Sequence, residues 1–330
     1  MLAWNQGGHR PANRTSCGRG LAGTIPAVLP VSGDQVRLAS GDLSADVTEV
    51  GATLRSFRAK GDPIVWEFDE SEIAPGGRGQ VLAPWPNRLE DGSYRFAGVP
   101  GQAALDEPER SNAIHGLVRW MPWSIEERSD ERAVLSCVVH PQPAYPFRLR
   151  LELEYALRGG GLEVFCGATN TGPGPAPFGV GFHPYLAAGA AGVDESEIHL
   201  NAKRRLTLDA RGLPTGDQPV AGSPFDLVRK QLSGFKLDDC YTGLAVSGDG
   251  RWHAELHLPG RAVEVWADAA FGYAMCFTGD TLPIAADRRR AVAIEPMTCP
   301  PNAFRTGDSL IELSPGERWD GRWGLRPSPV

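Results

Sequence analysis

Apolar and polar residues alternate with a period of two over much of the sequence from Val31 onward, and this pattern most constrains the fold. Between Arg148 and Leu157 every second residue is apolar, and three glycines then reverse the chain into a second alternating run. A similar pair of runs flanks Pro259-Gly260. Alternating segments joined by tight turns are typical of antiparallel strands. The pattern therefore predicts an all-β protein, a large antiparallel β-sandwich with few short helices.

Glycine and proline usage agrees with a turn-rich β protein, since 40 glycines and 28 prolines are well above average usage. Asp91-Gly92, between Arg88-Leu89 and Tyr94, predicts a further tight hairpin. Neither a strand–helix rhythm nor a phosphate-binding glycine loop occurs, which disfavours nucleotide-binding α/β folds. Because no long linker or composition shift divides residues 31 to 328, we expect one domain there.

The charge balance is acidic, with 33 Lys and Arg residues against 40 Asp and Glu residues and a net charge of −7. An acidic chain supplies no basic field for a phosphate backbone, so we expect no nucleic-acid partner. The most apolar tract, Pro177 to Val193, contains His183 and two prolines. This composition predicts no membrane-spanning helix and no membrane partner.

The first 30 residues differ in character from the rest. They carry Arg10, Arg14 and Arg19, no acidic residue, and no apolar core of a secretory signal. We expect residues 1–30 to be a disordered extension and the protein to be cytoplasmic.

Cysteines and histidines lack the spacing of a metal site. The six cysteines are scattered without a Cys-x-x-Cys pair, which argues against a zinc site and a disulfide framework. His253 and His257 are four residues apart in a predicted strand, too far apart to chelate readily. We therefore expect no metal.

Two ionisable residues precede proline in apolar surroundings. Glu295 ends an apolar run before Pro296, and His183 lies among glycine and phenylalanine before Pro184. A partly desolvated carboxyl has a raised pKa that suits a general base, and imidazole titrates near neutrality. Proline restricts the residue before it to extended conformations, so both backbones should be stiff. The alternatives are a solvent-facing strand end and a core histidine.

One short segment combines groups that suit a sugar. In Pro84-Trp85-Pro86-Asn87-Arg88, an aromatic face for stacking stands beside an amide and a guanidinium that can hold hydroxyls. The alternative is a proline-rich turn before the Asp91-Gly92 hairpin.

Two other segments carry candidate polar contacts. His115 precedes Gly116, which allows a ligand or another backbone to approach the imidazole closely. Asp238 and Asp239 offer acceptors for hydroxyl groups. Ordinary turns are the alternative explanation for both segments.

Taken in chain order, these segments resemble the aldose 1-epimerase (galactose mutarotase) family over most of the chain. The resemblance implies a galactose mutarotase-like supersandwich with an open sugar cleft, a monosaccharide substrate, no cofactor, and a monomer or homodimer. The segments that carry it are residues 49–57, Asn87-Arg88, His115-Gly116, His183-Pro184-Tyr185, Asp238 and Glu295-Pro296.

The resemblance also implies roles for these residues. Glu295 would remove the proton of the anomeric hydroxyl, and His183 would protonate the ring oxygen. The pyranose then opens, rotates about C1–C2 and closes to the other anomer with the roles reversed. The remaining contacts to the ring oxygen and hydroxyls would come from His115, Asn87, Arg88 and Asp238.

Two departures from the galactose enzymes bear on the substrate. Met275 stands where they have a glutamine, so a hydrogen bond to the sugar is lost there. The run from His115 to Trp120 is more similar to the bacterial branch that includes sulfoquinovose mutarotases. Arg119 in that run could bind an anionic substituent as a bidentate donor, or be a surface strand residue. A neutral aldohexose and an anionic sugar are therefore both candidate substrates.

Two other functions compete with an epimerase. A non-catalytic carbohydrate-binding or regulatory sandwich would share the fold. A glycoside hydrolase needs a second carboxyl group opposite Glu295, at about 5 to 9.5 Å.

Overall fold

The computed structural model describes residues 30–329. The predicted disordered extension, residues 1–30, lies outside the described residues apart from Pro30. Within the described part of the chain, no helix is long and apolar enough to cross a membrane.

Strands dominate the described part of the chain. In chain order they are β1 (Gln35–Ser40), β2 (Leu43–Thr48), β3 (Leu54–Ala59), β4 (Asp62–Pro63), β5 (Val81–Leu82), β6 (Arg88–Glu90), β7 (Ser93–Phe96), β8 (Val99–Gln102), β9 (Asn112–Ile114), β10 (Ser124–Arg128), β11 (Arg132–Val139), β12 (Leu149–Arg158), β13 (Gly161–Asn170), β14 (Ala176–Phe178), β15 (Gly181–Phe182), β16 (Tyr185–Ala187), β17 (Glu197–Leu200), β18 (Ala202–Leu208), β19 (Pro214–Pro219), β20 (Lys230–Gln231), β21 (Asp238–Leu244), β22 (Arg251–Leu258), β23 (Arg261–Asp268), β24 (Tyr273–Phe277), β25 (Ala291–Met297), β26 (Ile311–Leu313) and β27 (Arg318–Pro329).

Helices are few and short. The α-helix α1 is Ala303–Thr306, and the 3₁₀ turns are Pro75–Gly77, Pro108–Arg110, Val118–Trp120, Val193–Glu195 and Ala285–Asp287.

Two large antiparallel sheets carry most of the strands. One has nine strands in the order β10-β11-β12-β13-β27-β23-β22-β17-β20. The other has eight, in the order β19-β18-β21-β24-β25-β15-β5, with β16 also paired to β25. Smaller sheets are β1-β2-β3-β4, β14-β26, β6-β9 and β7-β8. The predicted all-β antiparallel sandwich is confirmed.

The two long hairpins predicted from alternation are also present. Strand β12 pairs with β13 from Leu149 opposite Asn170 to Arg158 opposite Gly161. Strands β22 and β23 pair along their whole length around Pro259-Gly260. In β22 every second residue is buried, as expected for a strand with one face on the core and one toward water.

The predicted Asp91-Gly92 hairpin is wrong. Gly92 does turn the chain, but β6 pairs with β9 and β7 pairs with β8. The chain reverses after Phe96 instead, at Ala97-Gly98. A turn dipeptide indicates a change of direction, whereas pairing depends on which distant strand covers the edge.

The core lies between the two large sheets. Leu151, Leu256 and Val265 from the nine-stranded sheet join Tyr241 and Ile294 from the eight-stranded sheet in one cluster of buried residues. The opposite face of the eight-stranded sheet is therefore free to form a binding cavity.

Candidate active site

The floor of the site is one face of three neighbouring strands, β21, β24 and β25. Met275 lies opposite Glu295 in register, and Phe277 lies opposite Asp238. Directly opposed residues share a face, and so do residues two apart in a strand. These four side chains therefore point to the same side. All seven residues of β25 are buried, and Glu295 is only 2% exposed.

His183 is held above this floor by packing. It lies between β15 and β16, and its ring stacks on Tyr185 with centroids 4.7 Å apart and an interplanar angle of 13°. Gly77 packs closely, since a Cβ there would lie 3.0 Å from Cδ2 of His183. The Nδ1 atom has no hydrogen-bond partner among residues 30–329. Aromatic stacking and the glycine contact thus orient the imidazole.

His183 and Glu295 form a close pair, with Nε2 of the imidazole 3.4 Å from Oε1 of the carboxyl. Burial lowers the pKa of His183 to about 3. Burial, with a smaller contribution from the Asp238 charge, raises the pKa of Glu295 well above its ordinary value. Both shifts favour the neutral arrangement, in which the one proton of the pair lies on the carboxyl. Sequence analysis predicted these two residues, and the fold brings them together.

His115 reaches the same place from a different part of the chain. It follows β9 with a positive φ of 66°, and its N–H donates to the carbonyl of Asn87 at 2.8 Å. Its ring meets the His183 ring edge to face, with centroids 5.4 Å apart. A Cβ at Gly116 would lie 2.1 Å from the Ala83 carbonyl oxygen, so this glycine admits another backbone. Burial first, and then the His183 charge, hold the pKa of His115 well below its ordinary value.

Asn87 and Arg88 line the cavity at the start of β6. The Arg88 guanidinium donates to the Glu107 carboxylate from Nε at 2.9 Å and from Nη2 at 3.0 Å. Asn112 donates to the same carboxylate at 2.9 Å. The Asn87 side-chain oxygen accepts the Arg88 backbone N–H at 2.9 Å. These bonds hold the predicted sugar-binding pair in a fixed geometry.

The two aspartates of the predicted acceptor pair go to opposite faces of β21. Asp238 is half-buried and lines the cavity. Asp239 is buried behind the sheet and forms an ion pair with Arg205. Met275, from the next strand, is 2% exposed and contributes an apolar surface beside Glu295.

Trp85 corrects the sequence prediction of a stacking residue. It is 3% exposed and packs on Phe304, with ring centroids 5.4 Å apart. Trp85 belongs to the hydrophobic core and does not line the cavity, whereas Asn87 and Arg88 do.

Arg119 is not the surface strand residue that was one of its two sequence interpretations. It lies in the 3₁₀ turn Val118–Trp120, not in a strand, and its side chain is only 12% exposed. Its Nη2 pairs with Asp106. Arg119 lies outside the lining of the cavity that holds Glu295 and instead borders the next cavity along the cleft.

These groups surround a cavity of about 340 Å³. That volume lies in the range of small-molecule sites. Several of its residues were not predicted from sequence, because no local motif marks them. They are Gly76, Glu107, Glu109, Arg110, Ile114, Phe277, Thr281, Leu282 and Pro283.

The half-buried Arg289 bonds to the residue that precedes the cavity wall formed by residues 281–283. Arg289 bonds to both Asp280 and Asp194, at 3.0 Å each, and to the carbonyls of Leu232 and Phe235. These bonds tie Asp280, at one end of the wall, to neighbouring segments. Leu282 lies close to Gly76, and both residues line the cavity.

Residues that could bind a metal ion do not cluster in the described part of the chain. Residues 30–329 contain no cluster of three or more His, Cys, Asp or Glu side chains arranged to hold a metal ion.

The antiparallel β-sandwich has the fold of galactose mutarotase-like proteins. A family model described as aldose 1-epimerase matches residues 34–326. The chain belongs to the aldose 1-epimerase family, whose members are isomerases that act on carbohydrates.

Individual relatives agree with this assignment. The chain is 32% identical over 288 residues to Uncharacterized protein YihR of Escherichia coli K12, covering 87% of this chain and 91% of that protein. A GalM/aldose epimerase homologue from C. elegans superposes with a TM-score of 0.81 at 18% identity, covering 90% and 99% of the two chains. Galactose 1-epimerase from Lactobacillus acidophilus gives a TM-score of 0.76 at 18% identity, covering 89% and 94%. Both solved structures share the fold of this chain.

Proposed function

We propose that this protein interconverts the α and β anomers of an aldohexose by acid–base catalysis. The observation that carries the proposal is the His183–Glu295 pair, with 3.4 Å between Nε2 and Oε1 inside a cavity of about 340 Å³. Family membership supports the same reaction class. A protein that only binds sugar has no need of a titratable pair at the bottom of its cavity.

Ring opening uses the charged arrangement of the pair. Glu295, as carboxylate, takes the proton of the anomeric hydroxyl, and His183, as imidazolium, gives its proton to the ring oxygen. The C1–O5 bond breaks as the C1 carbonyl forms, so the product is the open-chain aldehyde. The pair is then neutral, with the proton on the carboxyl.

Ring closure uses this neutral arrangement in reverse. After rotation about C1–C2, His183 takes the proton of the O5 hydroxyl, and Glu295 gives its proton to the carbonyl oxygen. Burial favours the neutral pair, as the pKa directions of both groups indicate. The free site therefore holds its one proton on Glu295, and ring opening first requires transfer of that proton to His183 across the 3.4 Å between Oε1 and Nε2.

The other polar groups orient the sugar. His115 lies against the His183 ring and carries an Nδ1 atom without a partner among residues 30–329, which suits a contact to the ring oxygen. Asn87, Arg88 and Asp238 line the cavity where they can hold hydroxyls. Fixed contacts of this kind keep the acid and base near attack geometry.

Polarimetry and exchange NMR on freshly dissolved single-anomer glucose or galactose test the proposal. We expect Glu295→Gln and His183→Ala each to lower catalysed mutarotation about 10³-fold while the fold is retained. Glu312→Gln and His140→Ala, both at exposed positions, are matched controls with wild-type rates. Wild-type rates in either active-site variant contradict the proposal. Sugar binding without rate acceleration by the wild-type protein favours the carbohydrate-binding alternative.

An anionic sugar is the second candidate substrate, and Arg110 is the observation that favours it. Arg110 lines the cavity, and its nearest carboxylate oxygen, on Glu107, is 3.6 Å away and already bonded to Arg88. A weakly paired guanidinium suits a phosphate or sulfonate group. In the same assay, a 6-phosphate or 6-sulfonated sugar would turn over faster than glucose, and Arg110→Gln would remove that preference. Equal rates for neutral and anionic sugars exclude it.

A further inference from the structure

A second cavity adjoins the one that contains the His183–Glu295 pair. It has a volume of about 580 Å³, and both cavities are lined by Gly76 and His115. Gly76 has a positive φ of 58° and no side chain, so only a slim backbone separates the two spaces at this point. A ligand that occupies both cavities would pass Gly76 and His115.

Large apolar side chains are displayed in this second cavity. Trp120 is 47% exposed and Ile73 is 62% exposed, and both line the cavity together with Ala74 and Pro75. A large exposed indole beside a concave surface is unusual, because burying an aromatic side chain is strongly favourable. An apolar face of a ligand would cover it.

A guanidinium with spare donors lies beside the indole. The Arg119 carbon Cζ is 5.2 Å from the centre of the Trp120 ring. Of the five guanidinium N–H donors, Nη2 donates to Asp106, and Nε is buried without a partner among the described residues. The side chain of Asp106 is 39% exposed, so this ion pair is open on one side. Glu72 adds an exposed carboxylate to the same cavity.

We propose that this second cavity binds the second sugar ring of a reducing disaccharide. The combination of an aromatic face, a guanidinium and a carboxylate matches a pyranose, which has an apolar C–H face and a rim of hydroxyls. Sequence analysis expected such a combination at Trp85 and Arg88, but the fold buries Trp85 and presents Trp120 with Arg119 instead. The free anomeric end occupies the catalytic cavity, so the inference rests on the proposed function.

Two measurements on the full chain test the subsite. The first is the ratio of kcat/KM for maltose, lactose and melibiose to kcat/KM for glucose and galactose. The second is the affinity of the same sugars by calorimetric titration, which does not depend on catalysis. Trp120→Ala removes the aromatic face, Trp120→Phe keeps one, and Val228→Ala is a control at another exposed apolar position.

We expect the wild-type protein to bind and turn over at least one disaccharide better than its reducing-end monosaccharide. Trp120→Ala should lower the disaccharide-to-monosaccharide ratio about tenfold in both measurements, with partial recovery in Trp120→Phe. Val228→Ala should leave the ratio unchanged. The preferred linkage then identifies the sugar carbon that faces His115.

Other results overturn the subsite. It is wrong if monosaccharides bind while no disaccharide binds better, or if Trp120→Ala weakens both kinds of sugar equally. Absence of mutarotation with every sugar contradicts the proposed function, yet the titration still decides whether a second ring binds at Trp120.

Discussion

The two large sheets bury their residues in different ways. In β22 of the nine-stranded sheet, Trp252, Ala254, Leu256 and Leu258 are buried, and the residues that alternate with them are half-buried on the other face. In β25 of the eight-stranded sheet both faces are covered, and Glu295 is buried along with its apolar neighbours. Strand β22 has its apolar side chains on one face and its polar side chains on the other, whereas β25 carries a buried carboxyl group.

This contrast separates stability from function. Burial of apolar side chains in β22 contributes favourably to folding, at about 25 cal/mol per Å². The atoms Nδ1 of His115, Nδ1 of His183 and Oε2 of Glu295 are buried with no partners among residues 30–329, which opposes folding. The nine-stranded sheet therefore helps to hold together a site whose polar groups are ready for a substrate.

The largest effect on stability is expected in the nine-stranded sheet. Leu256 is fully buried in β22, so Leu256→Ala should lower the free energy of unfolding by about 3 kcal/mol, more than a hundredfold in the unfolding equilibrium. Urea unfolding measures this change, and activity of the remaining folded protein should be unaffected. Equal stability of the variant and the wild type would show that β22 does not carry the core.

A smaller change is expected at the contact between Gly77 and His183. A Cβ at Gly77 would lie 3.0 Å from the ring, at a φ of 82° that disfavours other residues. Gly77→Ala should lower kcat about tenfold or more by displacing the imidazole, with KM less affected. Gly189→Ala is the matched control, because it has a positive φ and no atom within 4 Å. Similar losses in both variants would mean that backbone strain alone is responsible.

The pH dependence of stability should reveal the protonation state of the buried Glu295 carboxyl. The pKa of Glu295 is raised in the folded protein, so the unfolded chain loses this proton first as pH rises above about 4.5. Stability from this group is therefore present at low pH and lost as pH rises through the folded pKa. His183 acts in the opposite direction below about pH 6.5, so the slope above that pH isolates Glu295.

Glu295→Gln provides the comparison for this slope. We expect the wild-type stability to fall relative to the variant between pH 6.5 and the raised pKa, by at most about 1.4 kcal/mol per pH unit. Thermal unfolding across this range measures the difference. Parallel curves for the two proteins would mean that Glu295 is not protonated in the fold at neutral pH.

The smallest effect is expected at an exposed ion pair. The Nε atom of Arg37 is 3.0 Å from Asp46, and the Arg37 side chain is 77% exposed. Arg37→Gln should change the free energy of unfolding by less than about 1 kcal/mol, and less still at high salt. Chemical unfolding at two salt concentrations checks this, and a larger loss would show that surface charges contribute comparably to the core.

Much of the fold could be predicted from local pattern. The strands on either side of Gly159-Gly160 and Pro259-Gly260 were predicted because alternation and turn chemistry act over a few residues. The predicted Asp91-Gly92 hairpin does not form, because β6 pairs with β9 and not with β7. Strand pairing depends on the register and hydrophobic face of a distant segment, which local turn residues do not specify.

The two tryptophans show how the same limit applies to the candidate site. Trp85 and Trp120 both stand next to or near an arginine in the sequence, yet one is 3% exposed and the other 47% exposed. Sequence analysis could not predict Arg110, Phe277 or Leu282 as cavity residues, because each comes from a separate loop or strand. Exposure is set by what packs against a side chain after folding.

By itself, the sequence determined the β-rich architecture, the stiff segments before Pro184 and Pro296, and the ionisable residues within them. These depend on alternation and backbone geometry, which act between near neighbours. The tertiary structure alone decided that Nε2 of His183 comes within 3.4 Å of Glu295, and that Trp120 faces a cavity. It also decided the protonation of the pair, because pKa shifts arise from burial and from charges that only folding brings together.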